Sequence, residues 1–194
     1  MELIKVFDNV LENSMCNHII DTFNNDTTYH NKGITSGGYN PNTKLTTDTN
    51  ISDLMHIDYW KNIDDSLNST LNKYIHMYFK YTSSLNKHYL LFEDLQDTGF
   101  LMQKYDKNEG FFEYHQDFST IYENNNIYYR VLVYIFYLND VVEGGETIIW
   151  DDYKIKPKAG TLLFFPATWT YPHKGNMPIS HDKYIITGWL YSNM

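Results

Sequence analysis

The chain has 194 residues, a length that suits one domain with a sizeable core. Its formal net charge of −9 argues against a broad phosphate-binding surface, so nucleic acid is not an expected partner. The single cysteine, Cys16, excludes an intramolecular disulfide and a cysteine-rich metal cluster. No apolar run reaches the ~18 residues that a membrane span needs, and the first residues lack the pattern of a secretory signal. A cytoplasmic protein is therefore expected. The abundance of Asn, Tyr, Ile, Lys and Asp suits an AT-rich bacterial, viral or phage genome.

LIKVF (3–7) reads as a short strand. Asn13 or Ser14 is placed to cap a helix running to about residue 25, with Met15, Ile19 and Phe23 on one face and Cys16 as a small core residue. Residues 26–50 are rich in Asn, Thr, Gly and Asp and read as a long polar loop, of the kind used as lids or binding loops. A second helix is predicted over about 58–82, because Trp60, Ile63, Leu67, Leu71, Tyr74 and Tyr78 keep the helical period. His56 and His76 have no partners at ligand spacing. From residue 97 onward the chain becomes a series of short β-type runs. DKNEG, ENNN, EGG, PKAG and HKGNMP supply the turns between them. An α+β chain, mainly β, follows: the runs suggest an antiparallel double-sheet barrel or jelly roll with supporting helices at its N-terminal end, and the position of the helices does not by itself choose this over another α+β arrangement.

Within that β region, YHQDFST (114–120) places His115 and Asp117 two residues apart. On an extended chain both side chains project to one face, so one imidazole and one carboxylate reach a single ion. A second histidine would complete a two-His-one-carboxylate triad, which leaves one side of an Fe(II) ion open. His173, which follows the strand GTLLFFPA and would hang at its end, is the candidate, against the alternatives of a solvated loop histidine there or of His181. Lys183 opens KYIITGWLYS, where Lys183, Ile185, Thr187 and Trp189 share one face. An inward lysine needs an anionic partner, whereas an exposed one at a strand start needs none.

Five segments in order carry a resemblance over residues 99–192: FLMQKYDKNEGFFEYHQD, YYRVLVYIFYLND, EGGET, IKPKAGTLLFFP and PHKGNMPISHDKYIITGWL. Together they resemble the catalytic domain of the Fe(II)- and 2-oxoglutarate-dependent prolyl 4-hydroxylases. The resemblance implies a double-stranded β-helix core (jelly roll, cupin-like), within a single domain over 1–194. Residues 1–96 would form its helical support and loop region, and residues 97–194 its catalytic β core. It also implies Fe(II), 2-oxoglutarate and O2 as cofactors, with ascorbate as reductant. His115, Asp117 and His173 would be the metal ligands, and Lys183 would take the distal carboxylate of 2-oxoglutarate. Tyr105, Tyr137 and Thr147 would lie near that carboxylate, Trp189 beside the cosubstrate, and Arg130 at the mouth, against a peptide substrate.

Arg130 and Tyr137 fall on opposite faces of an ideal strand, so both roles require a bulge, a twist or an end position. The chain departs from the resemblance at Trp150, where phenylalanine is more usual, at Phe112, where a tyrosine is common, and in the longer aromatic segment FPATWTYPH. The expected activity is hydroxylation of a peptidyl proline with release of succinate and CO2. The alternatives are the same chemistry on a free amino acid or other small molecule, or a non-catalytic jelly-roll binding protein.

Overall fold

The computed structural model describes residues 3–85, 95–123 and 125–193. In chain order, β1 (Lys5–Phe7) precedes α1 (Asn13–Asn25); the short β2 (Asn31–Lys32), β3 (Lys44–Leu45) and β4 (Thr47–Asn50) then lead into α2 (Asp58–Leu85). The remainder is β: β5 (Gln96–Asp97), β6 (Leu101–Tyr105), β7 (Phe111–His115), β8 (Thr120–Glu123), β9 (Asn126–Tyr137), β10 (Thr147–Ile149), β11 (Tyr153–Ile155), β12 (Thr161–Pro166), β13 (His173–Gly175) and β14 (Lys183–Asn193).

The strands form two antiparallel sheets. The larger runs β1-β12-β9-β14-β6-β4-β2, with β5 on β14 and β8 on β9; the smaller runs β11-β10-β13-β7-β3. This is the double-sheet arrangement expected of the jelly roll. Alternation along the long strands sorts the two faces of the larger sheet. Leu132, Tyr134 and Phe136 of β9, with Leu162 and Phe164 of β12, pack against Cys16, Ile19 and Phe23 of α1 and Trp60, Ile63, Leu67 and Leu71 of α2. Val133, Ile135 and Tyr137, with Leu163 and Phe165, turn the other way, into a second cluster with Ile149 and Ile155 of the smaller sheet. The helices thus cover one face and leave the other for a site between the sheets. No helix among the described residues is long and apolar enough to cross a membrane.

Three local expectations need correction. Asn13 is the first residue of α1 and not its cap: Glu12 holds the cap position, without a side-chain hydrogen bond. Residues 26–50 are not one loop. β2, β3 and β4 lie within them and join both sheets, because Thr46, Asp48 and Thr49 are buried against neighbouring strands despite their polarity. His173 does not hang from β12 but begins a strand of its own. The EGG turn is as expected, and Gly144 and Gly145 both take positive φ there, a region that favours glycine. The ENNN turn includes Asn124, which lies outside the described residues.

Candidate metal centre and cosubstrate pocket

β7 and β13 are paired with His115 directly opposite His173. β7 ends at His115, and Asp117 follows in the connection, where the chain brings its carboxylate back beside both rings. Asp117 Oδ1 lies 3.9 Å from His115 Nε2, and Oδ2 lies 3.3 Å from His173 Nε2. One ligand atom from each of the three residues falls within 4.8 Å of the others, the spacing of a shared ion.

The backbone fixes both rings. The Nδ1–H of His115 donates to Glu113 O at 2.8 Å, and that of His173 donates to Tyr171 O at 3.0 Å. A carbonyl only accepts, so each Nδ1 carries the proton and each Nε2 presents its lone pair to the centre. Phe112 stacks on His115 with ring centroids 3.6 Å apart. Burial, then the neighbouring His173, push the His115 imidazole down to about 4, against the pull of Asp117. Burial pushes Asp117 up, but the neighbouring His173 and His115 outweigh it and hold its carboxyl well below the usual range. Neutral imidazoles and an ionised carboxylate are the forms that bind a metal.

The triad opens into a cavity of about 600 Å³, whose lining includes Lys183, Ile185, Thr187 and Trp189, the face of β14 expected from the sequence. Lys183 is fully buried, and burial lowers its amine to about 7. Among the described residues, three buried side-chain polar atoms have no hydrogen-bond partner: Thr161 Oγ1, Lys183 Nζ and Trp189 Nε1. The last two belong to residues that line this cavity. The Trp189 indole N–H lacks hydrogen-bonding geometry, yet it stands close enough to Asp117 to help lower its pKa. A buried amine without an acceptor is costly unless an anion completes it.

The other expected residues divide. Tyr105 lines the cavity, with its ring 4.3 Å from Lys183 Nζ and its hydroxyl donating to Gln103 Oε1 at 3.3 Å. Thr147 also lines it, whereas Tyr137 is set behind, outside the lining, and donates its hydroxyl to Thr147 Oγ1 at 2.7 Å. Arg130 is at the cavity, its guanidinium 3.9 Å over the Trp189 ring and its Nε donating to Tyr191 Oη at 2.8 Å. The parity conflict is settled by a bulge: Leu190 pairs with Leu132 but Tyr191 with Arg130, so Val131 is the extra residue on β9. Val131 packs on the helix side, and Arg130 is returned to the pocket side. His181 is exposed and hydrogen-bonded to Ser180, away from the triad.

Trp150 takes a positive φ of 55°, unusual for a bulky residue. Its backbone N–H donates to Pro172 O and its indole N–H to Thr170 O, both at 2.9 Å, and its ring packs on Tyr171. The aromatic segment thus ties down the connection that delivers His173. Sequence reasoning missed the wall supplied by Lys44 and Gln103. Lys44 lies in the stretch read as loop, and no spacing rule joins it to a site more than 60 residues later.

Residues 100–191 match the model of the 2OG-Fe(II) oxygenase superfamily. The match spans the β-rich half of the chain, from the start of β6 into β14. No curated protein matches the chain in sequence. Among solved structures, it is similar to a prolyl hydroxylase from Trichoplax adhaerens in complex with a hypoxia-inducible-factor peptide: TM-score 0.74, 16% identity, 99% of this chain and 84% of that one. A viral collagen prolyl hydroxylase from Paramecium bursaria Chlorella virus-1, with 2-oxoglutarate, gives TM-score 0.68 and 16% identity, over 98% and 96% of the two chains. A prolyl-4-hydroxylase from Pseudomonas putida gives 0.61 and 14%, over 100% and 94%. The shared fold extends beyond the family match, into the helical N-terminal half.

Proposed function

We propose that the chain, as one domain, hydroxylates a peptidyl proline, using Fe(II), 2-oxoglutarate and O2. The observation that carries this reading is the unpartnered Lys183 amine in the same cavity as the His115–Asp117–His173 cluster. The donor set fits Fe(II): two neutral imidazoles and one carboxylate, all aimed at one point, with a cavity on the open side. Bound there, the metal and 2-oxoglutarate would supply the oxidising chemistry, with ascorbate as reductant.

The protein's own residues bind, orient and exclude water. Lys183 takes the distal carboxylate, with the Tyr105 ring against its ammonium and Thr147, oriented by Tyr137, on the same wall. Trp189 forms the side of the pocket and Arg130, stacked on it, the mouth, where a peptide carbonyl would accept from the guanidinium. A proline-containing peptide is proposed because the similar structures are prolyl hydroxylases, one of them named a collagen prolyl hydroxylase and one in complex with a hypoxia-inducible-factor peptide. A cytoplasmic setting belongs to the same proposal and is supported by the lone, buried cysteine.

The test is succinate formation from 2-oxoglutarate with Fe(II), ascorbate and a proline-rich peptide pool, run beside His115→Ala. Succinate that depends on His115, with a one-oxygen mass gain on proline, is the expected result. Succinate without peptide oxidation would discard the proline substrate. No succinate from folded, metal-loaded protein would overturn the reading.

A further inference from the structure

β3 and β4 reach the pocket from the N-terminal half, with only Thr46 between them. β3 pairs with β7 in the smaller sheet, Lys44 opposite Phe112, and β4 pairs with β6 in the larger, Asp48 opposite Gln103. The chain thus crosses between the sheets in one step. Across that step Lys44 Nζ donates to Asp48 Oδ2 at 2.6 Å, and both side chains are buried.

Each end of this ion pair leads toward a different part of the site. Lys44 Nζ lies 5.2 Å from the centroid of the Phe112 ring, which stacks on His115. Asp48 also accepts from Thr46 Oγ1 at 2.7 Å and from Gln103 Nε2 at 3.3 Å. Gln103 Oε1 in turn accepts from the Tyr105 hydroxyl, and the Tyr105 ring faces Lys183.

The cavity lining contains two buried lysines, Lys44 and Lys183. Asp48 answers the first, and the second has no hydrogen-bond partner. In a buried site charges act strongly over several ångströms, so an unanswered Lys44 one ring away from His115 would oppose a divalent cation.

We propose that Asp48 and Lys44 form a charge-compensating pair that tunes the metal centre. Asp48 cancels the Lys44 charge one ring away from His115, and this leaves Lys183 as the buried lysine offered to the anionic cosubstrate. Both are positioning residues that act through the Phe112–His115 stack and through Gln103. The inference rests on reading His115, Asp117 and His173 as the metal ligands.

The experiment is a Co(II) titration of metal-free protein, followed by the visible absorption of the bound ion. The unaltered chain is compared with Asp48→Asn, Lys44→Met and the double variant. Asp48→Asn should weaken Co(II) binding about tenfold, by leaving a lone cation beside the centre. Lys44→Met should tighten it a few-fold, because Asp48 then adds uncompensated negative charge. The double variant should return toward the unaltered value.

A packing role alone would weaken binding in both single variants, and that result overturns the proposal. So does a double variant no better than the worse of the singles. Should Asp48→Asn fail to fold, tighter binding by Lys44→Met with recovery in the double variant still supports the pair, and weaker binding refutes it. An unaltered protein that binds no Co(II) would instead defeat the metal-centre reading itself.

Discussion

At the scale of single residues, the site is defined by groups whose needs the protein does not meet alone. His115 and His173 each give up Nδ1 to a carbonyl two residues earlier, which leaves Nε2 nothing to do but bind. His173→Ala should therefore abolish tight Co(II) binding as well as turnover, and retained binding in that variant would rule out the ligand assignment. Lys183→Ala removes the only buried amine without a partner among the described residues. A charge-assisted hydrogen bond in a dry pocket is worth ~1.5–3 kcal/mol, so 2-oxoglutarate should bind roughly 10- to 100-fold more weakly. Calorimetry on the Co(II)-loaded protein reads this directly, and an unchanged affinity would remove Lys183 from the pocket's function. The His115–Asp117 pair and the face of Lys183 were legible because spacing and strand parity are local properties, whereas His173 entered only through the resemblance, since no spacing joins it to the pair. The demotion of Tyr137 to a support for Thr147 was not, because it depends on how far each strand stands from the cavity.

At the scale of elements, the largest surprises lie in strands that composition disguises. β4 reads Thr-Asp-Thr-Asn, yet Asp48 and Thr49 are buried, because pairing with β6 and the Lys44 partner override a weak strand propensity. The bulge at Val131 carries no glycine and no local mark; it exists because β9 must serve the helices at one point and the pocket at the next. β14 carries a tight steric constraint. A Cβ at Gly188 would fall 2.1 Å from the Tyr134 hydroxyl and 2.6 Å from Gly99 O, the same oxygen to which that hydroxyl donates at 2.7 Å. Gly188→Ala forces the hydroxyl off its acceptor inside a packed sheet, and overpacking of this kind costs ~1–3 kcal/mol. Urea unfolding should show that loss, and a stability equal to the parent would mean that the contact relaxes freely. Gly188 does not line the cavity, so Co(II) affinity at moderate temperature should stay near the parent's.

At the scale of the whole molecule, two sheets and two helices divide the labour: one face of the larger sheet is spent on the helical core, and the other encloses a cavity that holds an uncompensated charge. The cavity face of β14 was readable from its alternation, whereas the two apolar faces of β9 and β12 and the closure of the site by the N-terminal strands were not. The buried charge ties global stability to pH. Burial holds Lys183 at about 7 in the folded chain, against ~10.4 for an unfolded lysine. Between those values the unfolded chain binds the extra proton, so this group makes stability rise with pH through that window and exerts its full cost below about 7. Lys183→Met removes the cost, so the variant should be more stable than the parent at pH 6, with the gap closing as pH approaches 10. A carboxylate seated on the ammonium raises its pKa again. The stabilisation that 2-oxoglutarate confers on the Co(II)-loaded parent should then be greatest near and below pH 7 and decline above it, up to ~10-fold in affinity per pH unit, while Lys183→Met shows neither effect. Thermal melts of both proteins from pH 6 to 10, with and without 2-oxoglutarate, measure both slopes. A gap between parent and variant that does not change with pH would mean that Lys183 keeps its proton by another contact, and that the cavity does not hold the unanswered charge on which its affinity for an anion depends.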